Sequence, residues 1–182
     1  MATPSGVLTA MVTPFTDDGG LDLPSARRLA RHLVENGSHG IVVAGTTGES
    51  PTLSDAEKIQ LWEAAVDALR GRATVVAGIG TYDTAHTVHL AKRAAELDVD
   101  ALLVVTPYYN LPPQRAIVRH FETIADQAVV RQNRLEPQIE RLDDAFPAFE
   151  LAGHVKLTDK ETVRVPTGKS LRILGRQECV KD

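Results

Sequence analysis

The chain has 182 residues, a formal net charge of −4, 43% hydrophobic residues and 24% charged residues. These values are typical of one globular domain and exclude a collagen, a wholly disordered chain or a disulfide scaffold. One cysteine, Cys179, excludes an internal disulfide, and the mild acidity favours neither nucleic acid nor an anionic membrane as a partner. No apolar run approaches the roughly 20 residues of a membrane helix, and the N-terminus lacks the pattern of a signal peptide, so we expect a cytoplasmic protein.

Short β-branched segments alternate with amphipathic helical patterns through the first 130 residues. The predicted strands begin about 30 residues apart, as successive βα units do. Ser54 and Glu57 have the spacing of a capping box before the second helix, and Asp83 is expected to cap the third. In chain order the predicted elements are a strand at 7–12, a helix at 24–36, a strand at 40–44, a helix at 55–70, a strand at 73–79, a helix at 83–97, a strand at 101–105 and a helix at 113–127.

Two architectures fit this alternation of strands and helices. Continuous apolar strands such as Ala101–Val105 indicate a parallel sheet covered by helices. Such a sheet is either open and doubly wound or closed into a (β/α)8 barrel, and periodicity alone does not choose between them. Neither a GxGxxG nor a Walker sequence follows the first strand, which weighs against a nucleotide-binding module.

Polar residues cluster where three of the predicted strands end. Thr13-Pro-Phe15 follows the first strand, Gly45-Thr-Thr-Gly-Glu-Ser50 the second and Thr106-Pro-Tyr-Tyr-Asn110 the fourth. In parallel α/β folds the loops at these ends hold the ligand. Two hydroxyls between glycines can present hydroxyl and N–H groups to a carboxylate or phosphate, although the same residues also suit an ordinary turn. The paired tyrosines suit either proton transfer or packing.

These three motifs, in this order and each after a strand, resemble those of the dihydrodipicolinate synthase / N-acetylneuraminate lyase family of class I aldolases. The resemblance covers about residues 5–126, and the motif ending at Asn110 favours the dihydrodipicolinate synthase branch over the sialic acid and sugar-acid lyases. It implies a homotetrameric (β/α)8 barrel in which a lysine forms a Schiff base with pyruvate. The enamine then attacks aspartate semialdehyde in lysine (diaminopimelate) biosynthesis, with no metal or organic cofactor.

The resemblance also implies roles for four residues. Thr46 matches the threonine of a proton relay, and Thr47 matches the residue that binds the pyruvate carboxylate. Tyr109 matches the tyrosine that completes the relay across a subunit interface, and Tyr108 is its neighbour at that interface. The residue types suit these roles, because a chain of hydroxyls moves protons without leaving a net charge in an apolar site.

The resemblance ends near residue 130, where the composition changes. Residues 1–130 hold 10 Lys and Arg against 15 Asp and Glu, whereas residues 131–182 hold 10 against 9. The expected strand-5 tyrosine is missing, since no tyrosine follows Tyr109. The tail instead has a helical pattern at 134–145 and a hairpin pattern at 162–174. The sequence therefore predicts a partial barrel of about four βα units at 1–130 and a divergent α+β tail at 131–182.

The Schiff-base lysine has no assigned position in this sequence. The candidates are Lys156, in an apolar run, and Lys181, whose Val-Lys-Asp context resembles the family's strand-6 sequence but lies at the chain terminus. Such a lysine needs its pKa lowered by burial or by a nearby cation, whereas terminal residues are commonly solvated. His86 and His89 share a predicted helix but lack a third ligand, so no metal site is predicted.

The chain is shorter than the roughly 250 residues of a typical (β/α)8 barrel. Three origins fit this length: a truncated or frame-shifted copy, a half-barrel whose tail covers its open face, and a half completed by another chain. We expect the first, because the resemblance breaks off within a connection. The alternative to a lyase is a non-catalytic half-barrel that binds a carboxylate or acts as an assembly partner.

Overall fold

The computed structural model describes residues 6–128, in which four parallel strands alternate with four helices. Every element predicted for this part is present, although the strands are shorter than predicted because their last residues turn into the connecting loops. The predicted tail at 131–182 lies outside the described residues. The elements are β1 (Leu8–Ala10), α1 (Leu23–Glu35), β2 (Gly40–Val43), α2 (Asp55–Leu69), β3 (Thr74–Gly78), α3 (Thr84–Ala95), β4 (Ala101–Leu103) and α4 (Gln114–Gln127), with a 3-10 turn at Ser50–Thr52.

The strands lie side by side in chain order, β1-β2-β3-β4. Every neighbouring pair is parallel, with Gly40 of β2 opposite Leu8 on one side and Thr74 on the other. A doubly wound sheet reverses its direction of growth, which gives orders such as 3-2-1-4. The uninterrupted order therefore excludes that alternative and is the order found in (β/α)8 barrels.

Local sequence signals set the helix starts. The Ser54 N–H donates to Oε2 of Glu57 at 2.7 Å, and the Glu57 N–H donates to Oγ of Ser54 at 3.3 Å, which confirms the capping box. The Asp83 carboxylate accepts from the N–H groups of Ala85 and His86 at 2.7 and 3.2 Å. Both caps satisfy N–H groups that have no partner within the helix.

The core lies between the sheet and the helices. Ile41 and Val43 of β2 are fully buried against the helical layer, whereas Val42 between them is only half-buried on the opposite face. Trp62 and Leu61 of α2 are also fully buried in this layer. Alternation along β2 therefore separates a packed face from a less buried opposite face, and the carboxyl ends of the parallel strands lie together at one edge of the sheet.

Candidate active site

A cavity of about 70 Å³ opens at the carboxyl ends of β2, β3 and β4. This volume suits a ligand of a few heavy atoms and is well below the roughly 300 Å³ of the smallest drug-sized sites. Most of the lining is apolar, and the hydroxyl groups come from two loops. The lining residues are Ala44, Gly45, Thr46, Ser50, Pro51, Gly78, Gly80, Leu103, Val105 and Tyr108.

Two glycines allow the strand ends to converge on the cavity. A Cβ atom on Gly78 would lie 2.2 Å from the carbonyl oxygen of Ala44, and one on Gly80 would lie 2.6 Å from the backbone nitrogen of Val105. Neither approach is possible for a residue with a side chain. Sequence reasoning missed both residues, although a Gly-Ile-Gly sequence at the end of a predicted strand is a signal of close backbone approach.

The loop that follows β2 is a compact turn held by its own backbone. The N–H groups of Gly48 and Ser50 both donate to the carbonyl of Gly45, at 3.1 and 3.2 Å. Ala44 and Glu49, which bracket the turn, adopt left-handed φ values of 55° and 58°. Left-handed backbone is unfavourable for a residue with a Cβ, and such strain is commonly found at functional sites.

Thr13 supports this loop from the end of β1. Its hydroxyl donates to the carbonyl of Gly48 at 2.6 Å, and its side chain is buried. A Cβ on Gly48 would lie 3.0 Å from the carbonyl oxygen of Met11, so the loop lies directly against the backbone of the preceding strand. The first and second motifs singled out in the sequence therefore form one unit.

Thr46 and Thr47 present unused hydrogen-bonding groups. Within residues 6–128, neither the N–H nor the hydroxyl of either threonine has a hydrogen-bond partner, and both residues are exposed. Thr46 lines the cavity, whereas Thr47 lies next to it in the turn and outside the lining. Four donors on two adjacent residues can accommodate a small anion such as a carboxylate.

The paired tyrosines have different environments. Tyr108 lines the cavity and packs edge-to-face on Tyr82, with ring centroids 5.6 Å apart. Burial raises the pKa of Tyr108, and the nearby Tyr82 raises it further. Tyr109 is 96% exposed with a left-handed φ of 70°, and it does not line this chain's cavity.

Residues 6–128 contain two lysines, Lys58 and Lys92, and neither lines the cavity. Lys58 on α2 is only 4% exposed. Burial lowers its pKa, and the carboxylate of Asp55 partly opposes this effect. The two candidates from the sequence, Lys156 and Lys181, lie outside the described residues.

The histidines of α3 form no metal site in the described part of the chain. Nε2 of His86 lies 2.8 Å from Oδ1 of Asp55, which links α3 to α2. No three His, Cys, Asp or Glu side chains come close enough to hold a metal ion among residues 6–128. None of the helices in this part is long and apolar enough to cross a membrane.

Comparison with known proteins gives one consistent result. The model of the dihydrodipicolinate synthetase family matches residues 3–132. A 4-hydroxy-tetrahydrodipicolinate synthase of Acidothermus cellulolyticus is 59% identical over 120 residues, which are 66% of this chain and 39% of that protein.

Solved structures agree in fold. The crystal structure of a dihydrodipicolinate synthase from Bacillus anthracis matches 70% of this chain and 44% of its own length, with 42% identity and a TM-score of 0.68. The enzyme from Acinetobacter baumannii, determined as a complex with pyruvate, matches 69% of this chain and 43% of its own length, with 39% identity and a TM-score of 0.67. The chain thus spans about two fifths of the length of these relatives, and its described part forms four βα units of a (β/α)8 barrel.

Proposed function

Since this chain belongs to the dihydrodipicolinate synthetase family, we propose that it is a lyase that condenses pyruvate with aspartate semialdehyde in lysine biosynthesis. The observation that carries this proposal is the pair Thr46 and Thr47, whose hydroxyl and N–H groups are unused at the edge of a small apolar cavity. A related enzyme was determined with pyruvate, and pyruvate combines a carboxylate with few heavy atoms.

The proposed binding mode follows from these donors. The Thr47 hydroxyl and N–H receive the pyruvate carboxylate, which leaves the carbonyl carbon in the cavity beside Thr46. The apolar lining, including Leu103 and Val105, surrounds that carbon with few polar groups. In such a site each hydrogen bond to the carboxylate is stronger than it would be in water.

The proposed chemistry requires an amine and ordered proton transfers. A lysine amine adds to the ketone, and the carbinolamine loses water to give the imine. Loss of a methyl proton gives the enamine, whose carbon attacks the aldehyde of the second substrate. Thr46 and Tyr109 carry protons through these steps, with Tyr109 supplied by a second copy of the chain. The 96% exposure of Tyr109 supports donation to a partner subunit, and we propose a homo-oligomer.

The amine must come from the chain after residue 128, because Lys58 and Lys92 do not line the cavity. Lys156 and Lys181 are the proposed sources. A second candidate function rests on the same observation. If neither lysine reaches the cavity, the chain binds a carboxylate at Thr47 without forming an imine, and it acts as a non-catalytic half-barrel or assembly partner.

Borohydride reduction in the presence of pyruvate separates these functions. The lyase predicts one reduced pyruvate adduct by intact mass, mapped to Lys156 or Lys181 and absent from Thr47→Val. The Lys58→Arg variant should form the same adduct as the parent. No adduct from a sample shown to be folded by circular dichroism would contradict the lyase and leave the carboxylate binder. Turnover with aspartate semialdehyde against sugar aldehydes then distinguishes this lyase from a sugar-acid lyase.

A further inference from the structure

The segment at residues 106–111, which follows β4 and carries the paired tyrosines, is not held by its backbone. Among residues 6–128, no hydrogen bond involves any residue of this tyrosine segment. Tyr109 has a left-handed φ of 70°, which is unfavourable for a residue with a Cβ. Its side chain is 96% exposed and so does not anchor it. The position of Tyr109 therefore depends on contacts that its neighbours make.

Tyr108 supplies such a contact. Its ring lies edge-to-face on the ring of Tyr82, with centroids 5.6 Å apart and planes at 87°. This is a favourable geometry for two aromatic rings, because the positive edge of one faces the negative face of the other. Tyr108 lines the cavity, whereas Tyr82 does not. Any effect of Tyr82 on the site therefore passes through Tyr108.

Tyr82 has a firm base in the loop between β3 and α3. The residue before it, Thr81, is only 5% exposed, and its N–H donates to Oγ1 of the fully buried Thr87 at 3.1 Å. The Thr81 hydroxyl donates to the carbonyl of Asp83 at 2.8 Å and accepts from the Asp83 N–H at 3.1 Å. The backbone on both sides of Tyr82 is thus fixed to the start of α3.

The same loop also meets the end of β4 through its backbone. The N–H of Ile79 donates to the carbonyl of Leu103 at 3.0 Å. A Cβ on Gly80 would lie 2.6 Å from the backbone nitrogen of Val105, so the two chains are in close contact there. The tyrosine segment is therefore attached to the β3–α3 loop at its start, beside Val105, and again at the ring of Tyr108.

We propose that Tyr82 is a positioning residue, which holds the ring of Tyr108 at the cavity and thereby fixes the place of Tyr109 beside it. The effect on the proton relay rests on the lyase function proposed above, whereas the effect on the tyrosine segment does not. Burial raises the pKa of Tyr108, which agrees with a ring that is held against the protein.

Limited digestion of the full chain with chymotrypsin tests the position of the segment, because this protease cleaves after tyrosines that can leave the folded surface. Tyr82→Leu removes the ring from a side chain that is 58% exposed, so the variant should fold. Cleavage after Tyr109 should be about threefold to tenfold faster than in the parent, because loss of the aromatic pair raises the open population. Tyr82→Phe keeps the ring and should be cleaved at the parent rate.

Two controls separate local release from general destabilisation. Phe15→Leu makes the same kind of change in another loop and should leave cleavage after Tyr109 unchanged. Cleavage after the fully buried Trp62 reports global unfolding and should not become faster in Tyr82→Leu. Parent-like cleavage after Tyr109 in Tyr82→Leu, or equal acceleration after Trp62, would overturn the proposal.

A second variant removes the pair from its other side and serves if Tyr82→Leu does not fold. Tyr108→Leu should also speed cleavage after Tyr109, whereas an unchanged rate would overturn the proposal. These digestions need no turnover, so their outcome does not depend on the lyase function.

The rate of borohydride trapping tests the effect on the relay. If the parent forms the adduct, Tyr82→Leu should form it roughly tenfold more slowly with an unchanged dissociation constant for pyruvate, because misplacing a proton carrier lowers the rate rather than the affinity. Tyr82→Phe should restore the rate. An unchanged rate in Tyr82→Leu would remove the aromatic pair from the relay. No adduct from the parent would contradict the lyase and leave the digestion result standing.

Discussion

At the scale of single residues, the hydroxyl of Thr13 joins two parts of the site. It donates to the carbonyl of Gly48 at 2.6 Å from a buried position. We predict that Thr13→Val lowers the free energy of unfolding by about 1–2 kcal/mol, because the carbonyl loses its partner. It should also weaken pyruvate binding by displacing Thr47. Urea unfolding measures the first effect, and a pyruvate titration measures the second. The control Thr13→Ser keeps the hydroxyl and should retain most of the stability and most of the affinity for pyruvate.

Gly78 and Gly45 form a matched pair of glycines at the cavity. A Cβ on Gly78 would meet the carbonyl oxygen of Ala44 at 2.2 Å, whereas a Cβ on Gly45 would make ordinary contacts with Val42 and Leu103 at 3.4 and 3.5 Å. We therefore predict that Gly78→Ala costs about 3 kcal/mol or more in unfolding free energy or prevents folding, since the backbone must move. Gly45→Ala should change stability by less than about 1 kcal/mol. Equal unfolding midpoints for the two variants would contradict this prediction.

The pKa of His120 gives a prediction about pH. Burial lowers this pKa in the folded chain from an ordinary value of 6.5, with the Asp83 carboxylate and the Val105 backbone opposing burial. As the pH falls below about 6.5, the unfolded chain binds a proton that the folded chain resists, so stability decreases. Urea midpoints at pH 8 and pH 5.5 should differ less for His120→Gln than for the parent, whereas His89→Asn should behave like the parent.

At the scale of helices and strands, the Ser54 cap decides where α2 begins. Ser54→Ala should lower the free energy of unfolding by about 1 kcal/mol, whereas Ser54→Thr should keep most of it. The hydroxyl and N–H of Ser54 lower the pKa of Glu57 from its ordinary 4.5. The capping box of Ser54 and Glu57 therefore stabilises the folded chain above pH 4.5. Its contribution is lost as the pH falls through the lowered pKa that Glu57 has in the folded chain. Ser54→Ala should flatten this acid dependence in urea unfolding.

Helices and caps were predictable from sequence because their signals are local. The serine–glutamate spacing at Ser54 and the aspartate at Asp83 specify N–H partners within three residues. The strands were predicted one to three residues too long, since β-branched residues such as Val105 continue past the last ladder hydrogen bond. The choice between an open sheet and a barrel required pairing between distant strands, which periodicity does not encode.

The sequence predicted residues of the candidate site only where they belong to one of the three motifs that follow strands. Thr46 and Tyr108 were singled out from their position after strands, and both line the cavity. Gly78 and Gly80 were not, because each matters through a close approach to the backbone of a residue 25 or more positions away. The roles of Thr46, Thr47 and Tyr109 in catalysis stay predictions until trapping is done.

At the scale of the whole molecule, the exposed residues after β4 bear on assembly. Tyr109 and Leu111 are 96% and 98% exposed, and exposed large apolar side chains this close together are typical of an interface. We predict that Leu111→Asp shifts the chain towards monomer, because a charge buried in that contact is not compensated. Sedimentation equilibrium measures the change, and Gln114→Asp, in the first position of α4, is the control. Identical association constants for the parent and Leu111→Asp would place the interface elsewhere.

The burial of Trp62 has a practical consequence. It is the one tryptophan of the chain, and it is fully buried on α2 in the layer that packs against the sheet. Its indole emission therefore reports on the barrel segment alone and receives no contribution from the tail. A blue-shifted spectrum that moves to the red in urea would give the folded fraction of this segment in every variant above, at micromolar concentration and without a label, so loss of binding can be separated from loss of folding in the same cuvette.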